Sequence, residues 1–331
     1  METTALQKKP KQARKKWGNG EVKKHIAYLI MLIPGFVFLF VFAYMPLPGV
    51  MMAFKNYRIA IPPNDFWLQN TFLYSLLYNS QWSGLGNFEF IFKSNDFAIF
   101  MRNTLGYNLL FMFVGLFFSV GIAVGINELS QRMFAKIYHT ILFLPYFLSW
   151  IIVTYVLYAF ISSNGMFEKL VASLGMPKLD LYVKKNAWPF IFLIANIWRY
   201  SGNSSIIYLA TVTGFDPQLY EAGAIDGAGK WKQFVHITLP QLVPTIILLQ
   251  ILAVGRILNG DFDMFWNLPN GSGAVRNAYM TLDVYVYSAI RSASNLGLPA
   301  AASFFQSLVG FTLVLTTNGI VRKVEPDMAM F

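Results

Sequence analysis

Long apolar stretches, broken by short polar punctuation, run through most of this chain. Runs of about 20 residues recur at about 27–47, 104–126, 137–161, 188–213, 239–259 and 299–321, each long enough to cross a hydrocarbon core of roughly 30 Å. The pattern predicts an all-α integral membrane protein with six transmembrane helices, organised as a tail over 1–26, a membrane domain over 27–321 and a short tail over 322–331. The first run is rich in Phe and Tyr and no small-residue cleavage site follows it, so it reads as a retained span rather than a signal-peptide core. The segment 55–103 is long and aromatic, with Trp67, Trp82, Phe88 and Phe92. It reads as headgroup-level belt residues together with short interfacial helices. Gly121 and Gly125 form a GxxxG in the second run, which reads as close helix approach within the chain.

One polar segment does not fit its oily surroundings: EAGAIDGAGKWKQFVHITLP, residues 221–240. Just ahead of it, Asp216 can cap a helix with Pro217 at the first helical position. That helix is expected from Gln218 to about Asp226, stopping near Gly227 and Gly229. A second short amphipathic piece, Lys230 to His236, carries Trp231 and Phe234 three residues apart on one face. Leu239-Pro240 opens the next span. The result is a helix–glycine–helix knuckle, a shape suited to a partner's groove. Glu221 is placed to accept from free backbone N–H groups or to meet a basic partner. Gly227 is required for a positive φ or for close approach.

Composition and charge narrow the class. The chain is 56% hydrophobic and 13% charged, against about a quarter charged in soluble domains. The tail holds Lys8, Lys9, Lys11, Arg14, Lys15, Lys16, Lys23 and Lys24. With the tail placed in the cytoplasm, the inside segments are 1–26, 127–136, 214–238 and 322–331, and Lys and Arg are about twice as dense there as in the outside segments. Both termini and the knuckle then face the cytoplasm. The basic tail reads as a topology determinant near anionic lipid, not as a nucleic-acid arm. There is no cysteine. His25, His139 and His236 are far apart and lack metal-ligand spacing, and no G-x-S-x-G elbow occurs. Ala224 to Trp231 resembles a phosphate loop, but Ala224 replaces its first glycine and Trp231 its magnesium-binding hydroxyl. The chain is expected to be no enzyme and to bind no cofactor or metal itself.

The knuckle carries a family resemblance. Glu221-Ala222-Gly223, then Gly227, then Ile237-Thr238-Leu239-Pro240 keep every spacing of E-A-A-x3-G-x9-I-x-L-P, with Gly223 for the second alanine. This resembles the cytoplasmic coupling motif of permease subunits in binding-protein-dependent ABC importers. GLGNFEFIFKSNDF with RNTLGYNLLF (84–110), and PGFVFLFVFAYMPLPGVMMAFKNY (34–57), are similar to the maltose-type carbohydrate branch, most of all to oligosaccharide and alginate-type permeases. The resemblance implies a second homologous permease, two ATPase subunits that hold the ATP and magnesium, an extracytoplasmic solute-binding protein and an oligosaccharide substrate. It implies an ATPase-docking surface of Glu221, Ala222, Gly223, Asp226, Gly227, Trp231 and Phe234. An importer permease for a non-sugar solute, and a non-transporting sensor or scaffold, remain the alternatives.

A solute path is expected on the fourth and fifth spans. Asn196, Arg199 and Asn203 recur at spacings of three and four, on one helix face. Arg256 falls in the last turn of the fifth span, with Asn259 three residues on and Asp261 and Asp263 beyond. Ionisable groups at such depths are costly and usually face a protein interior or a watery cavity. The alternative is that Arg199 and Arg256 simply pair with carboxylates or carbonyls. Trp198 and Tyr200 are available for stacking on sugar rings, and two arginines would suit a uronate.

Overall fold

The computed structural model describes residues 19–330, apart from 65, 130, 163–164, 176–179 and 293–295. The basic residues Lys8 to Lys16 fall outside the described residues. The chain divides into two units, residues 1–50 and 51–331. In the first, α1 (Asn19–Leu39) passes through Pro34 and continues into a π-helical turn, Phe40–Tyr44.

The second unit begins with the aromatic segment. Strand β1 (Lys55–Asn56) pairs antiparallel with β2 (Gln81–Trp82), Lys55 facing Trp82. Helix α2 (Thr71–Tyr74) lies between them, capped by Asn70, and α3 (Gly86–Phe92) follows. The expected short helices are present, together with a ribbon that the apolar pattern does not announce. Two buried polar side chains brace it. Lys55 Nζ donates to the Leu76 carbonyl at 2.6 Å, and Asn87 Nδ2 to the carbonyls of Ala53 and Lys55 at 3.0 and 2.9 Å. Trp67 and Trp82 are exposed, as belt residues are, whereas Phe88 packs against Phe54 and Phe304.

Helix α4 (Phe97–Asn127) is followed by α5 (Arg132–Phe143), α6 (Trp150–Ile161), α7 (Met166–Ser173) and α8 (Trp188–Thr213). The expected single span over 137–161 is in fact broken. Pro145 sits in a 3-10 turn, Leu144–Phe147, where its missing N–H ends the α-helical ladder. Leu148 and Ser149 are extended, and Ser149 Oγ restarts the chain by accepting from the Ile152 N–H. Next come α9 (Pro217–Ile225), α10 (Lys230–Gln233) and a π-helical turn, Phe234–Thr238, that runs into α11 (Leu239–Val254). The second piece of the knuckle is therefore the first turn of a spanning helix, not a separate element. Helices α12 (Phe262–Asn267), α13 (Arg276–Tyr279), α14 (Leu282–Ser292) and α15 (Gly297–Val324) complete the order.

Among the described residues five helical stretches are long and apolar enough to cross a membrane: Lys24–Phe54, Phe97–Asn127, Trp150–Ser173, Lys230–Val254 and Gly297–Val324. Helix α8, at 26 residues, has the length, about 39 Å, but Asn196, Arg199, Ser201, Asn203, Ser204 and Ser205 dilute its apolar character. It packs lengthwise against α4. One apolar cluster gathers Phe100, Tyr107, Trp188, Phe192, Phe265 and Tyr285, and a second gathers Val120, Ala123, Tyr208, Val212 and Leu242 nearer the knuckle. The GxxxG expectation is not met. A Cβ built on Gly121 or Gly125 has nothing within 4 Å, so no other segment among the described residues approaches there. Close approach occurs instead at Gly202, where a Cβ would stand 2.0 Å from the Leu142 carbonyl oxygen on α5.

Candidate functional site

The knuckle forms as its residues dictate. Asp216 caps α9 by accepting from the Gln218 N–H at 3.0 Å, and Pro217 occupies the first turn. Gly227 turns the chain with φ +75°, a conformation in which side-chain-bearing residues are strained. The turn is braced from within. Ala228 N–H donates to the Gly223 carbonyl at 2.8 Å, Gln233 Nε2 to the Ala228 carbonyl at 3.0 Å, and the Tyr220 and Thr238 hydroxyls pair at 3.0 Å. Gly223 faces Gln233 and Ile237 in this packing. The Glu221 carboxylate makes no hydrogen bond among the described residues; the helix start is already served by Asp216, and Glu221 stands exposed with Ala222, Asp226 and Gly227. Trp231 is 74% exposed and Ile225 87%, an apolar surface left largely open by the described residues. Phe234 differs. It touches Trp231, ring centroids 5.5 Å apart, but packs into the cluster of Val120, Tyr208 and Leu242. Lys230 reaches the end of α4, 2.6 Å from a Glu128 carboxylate oxygen.

At the other end of α4 and α8, one helix face of α4 holds down the segment after α11. Asn103 Nδ2 donates to the carbonyls of Asn277 and Met280, both at 2.9 Å, and Tyr107 OH to that of Ala278 at 2.7 Å. Thr104 Oγ1 accepts from the Leu282 N–H at 2.8 Å. Asn108 Nδ2 donates to the carbonyls of Ile257 and Asn259 at 2.8 and 3.2 Å. From α15, Gln306 Nε2 donates to the Leu258 carbonyl at 2.9 Å and to Asp283 Oδ1 at 2.8 Å. Asp283 Oδ2 takes the Gly260 N–H at 2.6 Å. Burial pushes the Asp283 carboxyl above its ordinary range, while the Gln306 and Gly260 donors pull the other way.

Two adjoining cavities open between α4, α8 and α11. One, of 490 Å³, is lined by Ser119, Asn196, Ser201, Asn203, Tyr208 and Gln250 among others. The second, of 540 Å³, shares Asn196 and Tyr200 with the first and adds Asn108, Arg256, Asn259 and Asp261. Four of the six expected path residues, Asn196, Asn203, Arg256 and Asn259, thus line one or other of these two adjoining cavities. Trp198 does not line it and is 47% exposed. Arg199 is absent from both walls: its guanidinium lies over Trp150, 4.4 Å from the ring centroid, with Nε and Nη1 buried and unpartnered among the described residues. Arg256 falls just past the helix, which ends at Val254 rather than continuing to 259. Asp261, just beyond the span, does more than its sequence position implies. Its Oδ2 accepts from Trp150 Nε1 at 2.7 Å and Tyr200 OH at 2.6 Å, and its Oδ1 caps α12 by accepting from the Met264 N–H at 3.2 Å. These partners lie 61 and 111 residues away, beyond any local pattern; the N-cap position of Asp261 was the one signal available. No group of three or more metal-type ligands occurs among the described residues.

Comparison with known proteins gives this arrangement a lineage. The chain is 32% identical over 316 residues to the polygalacturonan/rhamnogalacturonan transport system permease protein YteP of Bacillus subtilis, covering 95% of this chain and 92% of that one. It is 30% identical over 302 residues to the protein LplB of the same organism, covering 90% and 89%. Its fold is similar to a crystal structure of a bacterial ABC transporter involved in the import of the acidic polysaccharide alginate, with a TM-score of 0.76, 27% identity, and coverage of 92% of this chain and 98% of that one. Residues 112–330 match the family of binding-protein-dependent transport system inner membrane components, and the chain belongs to that family.

Proposed function

We propose that this permease moves an oligosaccharide, one bearing acidic sugars, across the cytoplasmic membrane. The observation that carries the reading is the pair of adjoining cavities walled by Asn108, Asn196, Asn203, Tyr200 and Asn259, since amide and hydroxyl groups in a cleft match sugar hydroxyls. The substrates named for the relatives, polygalacturonan or rhamnogalacturonan and alginate, support it. In this reading α8 is the sixth span. Its polar face turns to the cavity and to α4 instead of lipid, as polar residues in membranes usually do. The termini and the knuckle face the cytoplasm, the side favoured by the Lys and Arg distribution.

The knuckle then docks into a groove on one of two ATPase subunits that hold ATP and magnesium, while a homologous permease completes the pore. A solute-binding protein delivers sugar from outside, as a periplasmic protein accompanies the alginate transporter. The exposed Ile225 and Trp231 and the free Glu221 carboxylate are the contacts offered, an aromatic anchor with a polar rim. Uptake of labelled oligosaccharide into proteoliposomes holding the complete transporter tests the reading. Asn196→Ala and Asn203→Ala should each lower uptake and sugar-stimulated ATP hydrolysis. Two variants indistinguishable from wild type would remove the cavity from the path.

A further inference from the structure

The wall of the 540 Å³ cavity carries two formal charges, Arg256 and Asp261, and they are in very different states. Asp261 is fully engaged. Its two oxygens accept three hydrogen bonds, from Trp150, Tyr200 and the Met264 N–H. Arg256 is exposed, and its guanidinium makes no hydrogen bond or ion pair among the described residues. Asp261, five residues away, is not its partner. The ion pairs among the described residues are Lys93 with Glu89, Lys230 with Glu128 and Arg276 with Asp96.

The backbone that carries Arg256 is, by contrast, held tightly. Its N–H donates to the Ala253 carbonyl at 3.0 Å and its carbonyl accepts from the Asn259 N–H at 2.9 Å. Asn108 grips the carbonyls of Ile257 and Asn259 from α4, and Gln306 that of Leu258 from α15. A rigid stem thus presents an uncommitted cation to a cavity whose one carboxylate already accepts three hydrogen bonds. Arg199 cannot play this part, since it lies under Trp150 and off both cavity walls.

A guanidinium offers a planar fork that matches a carboxylate with two parallel hydrogen bonds, which an ammonium cannot reproduce. Resting on the oligosaccharide reading above, we infer that Arg256 binds the carboxylate of a hexuronate residue in transit and is the residue by which this permease prefers acidic over neutral sugar chains.

The test uses the complete transporter in proteoliposomes at saturating solute-binding protein, with a galacturonate trimer and its neutral methyl ester as probes. Arg256→Gln should lower uptake of the acidic trimer roughly tenfold or more, the loss of a charge-assisted pair, and leave the ester's uptake unchanged. Arg256→Lys keeps the charge without the fork and should restore part of the acidic uptake. Its recovery also shows that substitution at this position leaves the complex assembled. Acidic uptake unaffected in Arg256→Gln, or equal loss for both trimers in both variants, would overturn the assignment while leaving the oligosaccharide reading standing. A wild-type complex that takes up neither trimer would overturn both.

Discussion

Replacing Gly202 by alanine should separate two helices that the fold holds in backbone contact. The new Cβ would lie 2.0 Å from the Leu142 carbonyl oxygen, 2.4 Å from its carbon and 2.9 Å from the Phe143 nitrogen. A carbon and a carbonyl oxygen rest about 3.3 Å apart, so α5 and α8 must part by about 1.3 Å. The obstructing atoms are backbone and cannot rotate away. The turn that follows α5 is also tied to α8, because Tyr146 packs against Tyr200, ring centroids 6.1 Å apart. Overpacking of this kind costs about 1–3 kcal/mol, and a backbone clash belongs at the upper end. At about 2 °C per kcal/mol for a chain of this size, the melting midpoint should fall by roughly 5 °C. Tryptophan fluorescence of the detergent-purified complex on heating is the assay. Gly121→Ala is the internal control. Its Cβ meets nothing within 4 Å, and alanine gains up to about 1 kcal/mol of helix propensity. A Gly202→Ala protein that melts with wild type and keeps full uptake would refute the close approach, and with it the packing that sets Ser201 and Asn203 on the cavity wall.

Gly227→Asn should keep most ATPase subunits in an affinity pull-down, because asparagine tolerates the left-handed region, whereas Gly227→Val should lose them; retention by both would deny Gly227 any part in docking. Asn108→Ala strips a donor from the Ile257 and Asn259 carbonyls, at about 1–3 kcal/mol, and should raise the KM for acidic oligosaccharide without changing ATPase stoichiometry; an unchanged KM would show that Arg256 is held without it. Asp283 titrates above its ordinary value in the fold, so its stabilising contribution is complete below the unfolded carboxyl pKa of about 4 and fades as pH rises through the folded value. Asp283→Asn should therefore flatten the decline in melting midpoint from acidic to neutral pH, and an unaltered slope would count against burial as the cause.

Much of this architecture can be read from local pattern. Apolar length locates four of the five long apolar helices, Lys24–Phe54, Phe97–Asn127, Lys230–Val254 and Gly297–Val324, and Asp216-Pro217 followed by Gly227 locates the knuckle, because caps and positive-φ turns are written within a few residues. What escapes is whatever depends on distant partners. Nothing near Asn103, Thr104 or Asn108 says that they strap backbone 149 to 178 residues away. The GxxxG at Gly121 and Gly125 suggests contact where none is found among the described residues, while Gly202 against Leu142 and Gly310 against Gly255 supply it. Spacing also placed Arg199 with Asn196 and Asn203 on one face. The three do share a side of α8, but Trp150 captures the arginine at its edge. For long side chains, direction is settled by what stands opposite.

The polarity of α8 bears on how the protein is made. A segment with an arginine and two asparagines is a poor independent client for lipid, since one central arginine alone costs about 2.5 kcal/mol on insertion scales. Its near-continuous contact with α4 supplies the compensation, so on the proposal that α8 is the sixth span it should enter the bilayer against the earlier-made α4 rather than alone. In a nascent chain whose α4 is replaced by a polyleucine span, α8 should stay accessible to aqueous labelling reagents. With native α4 present, it should become protected.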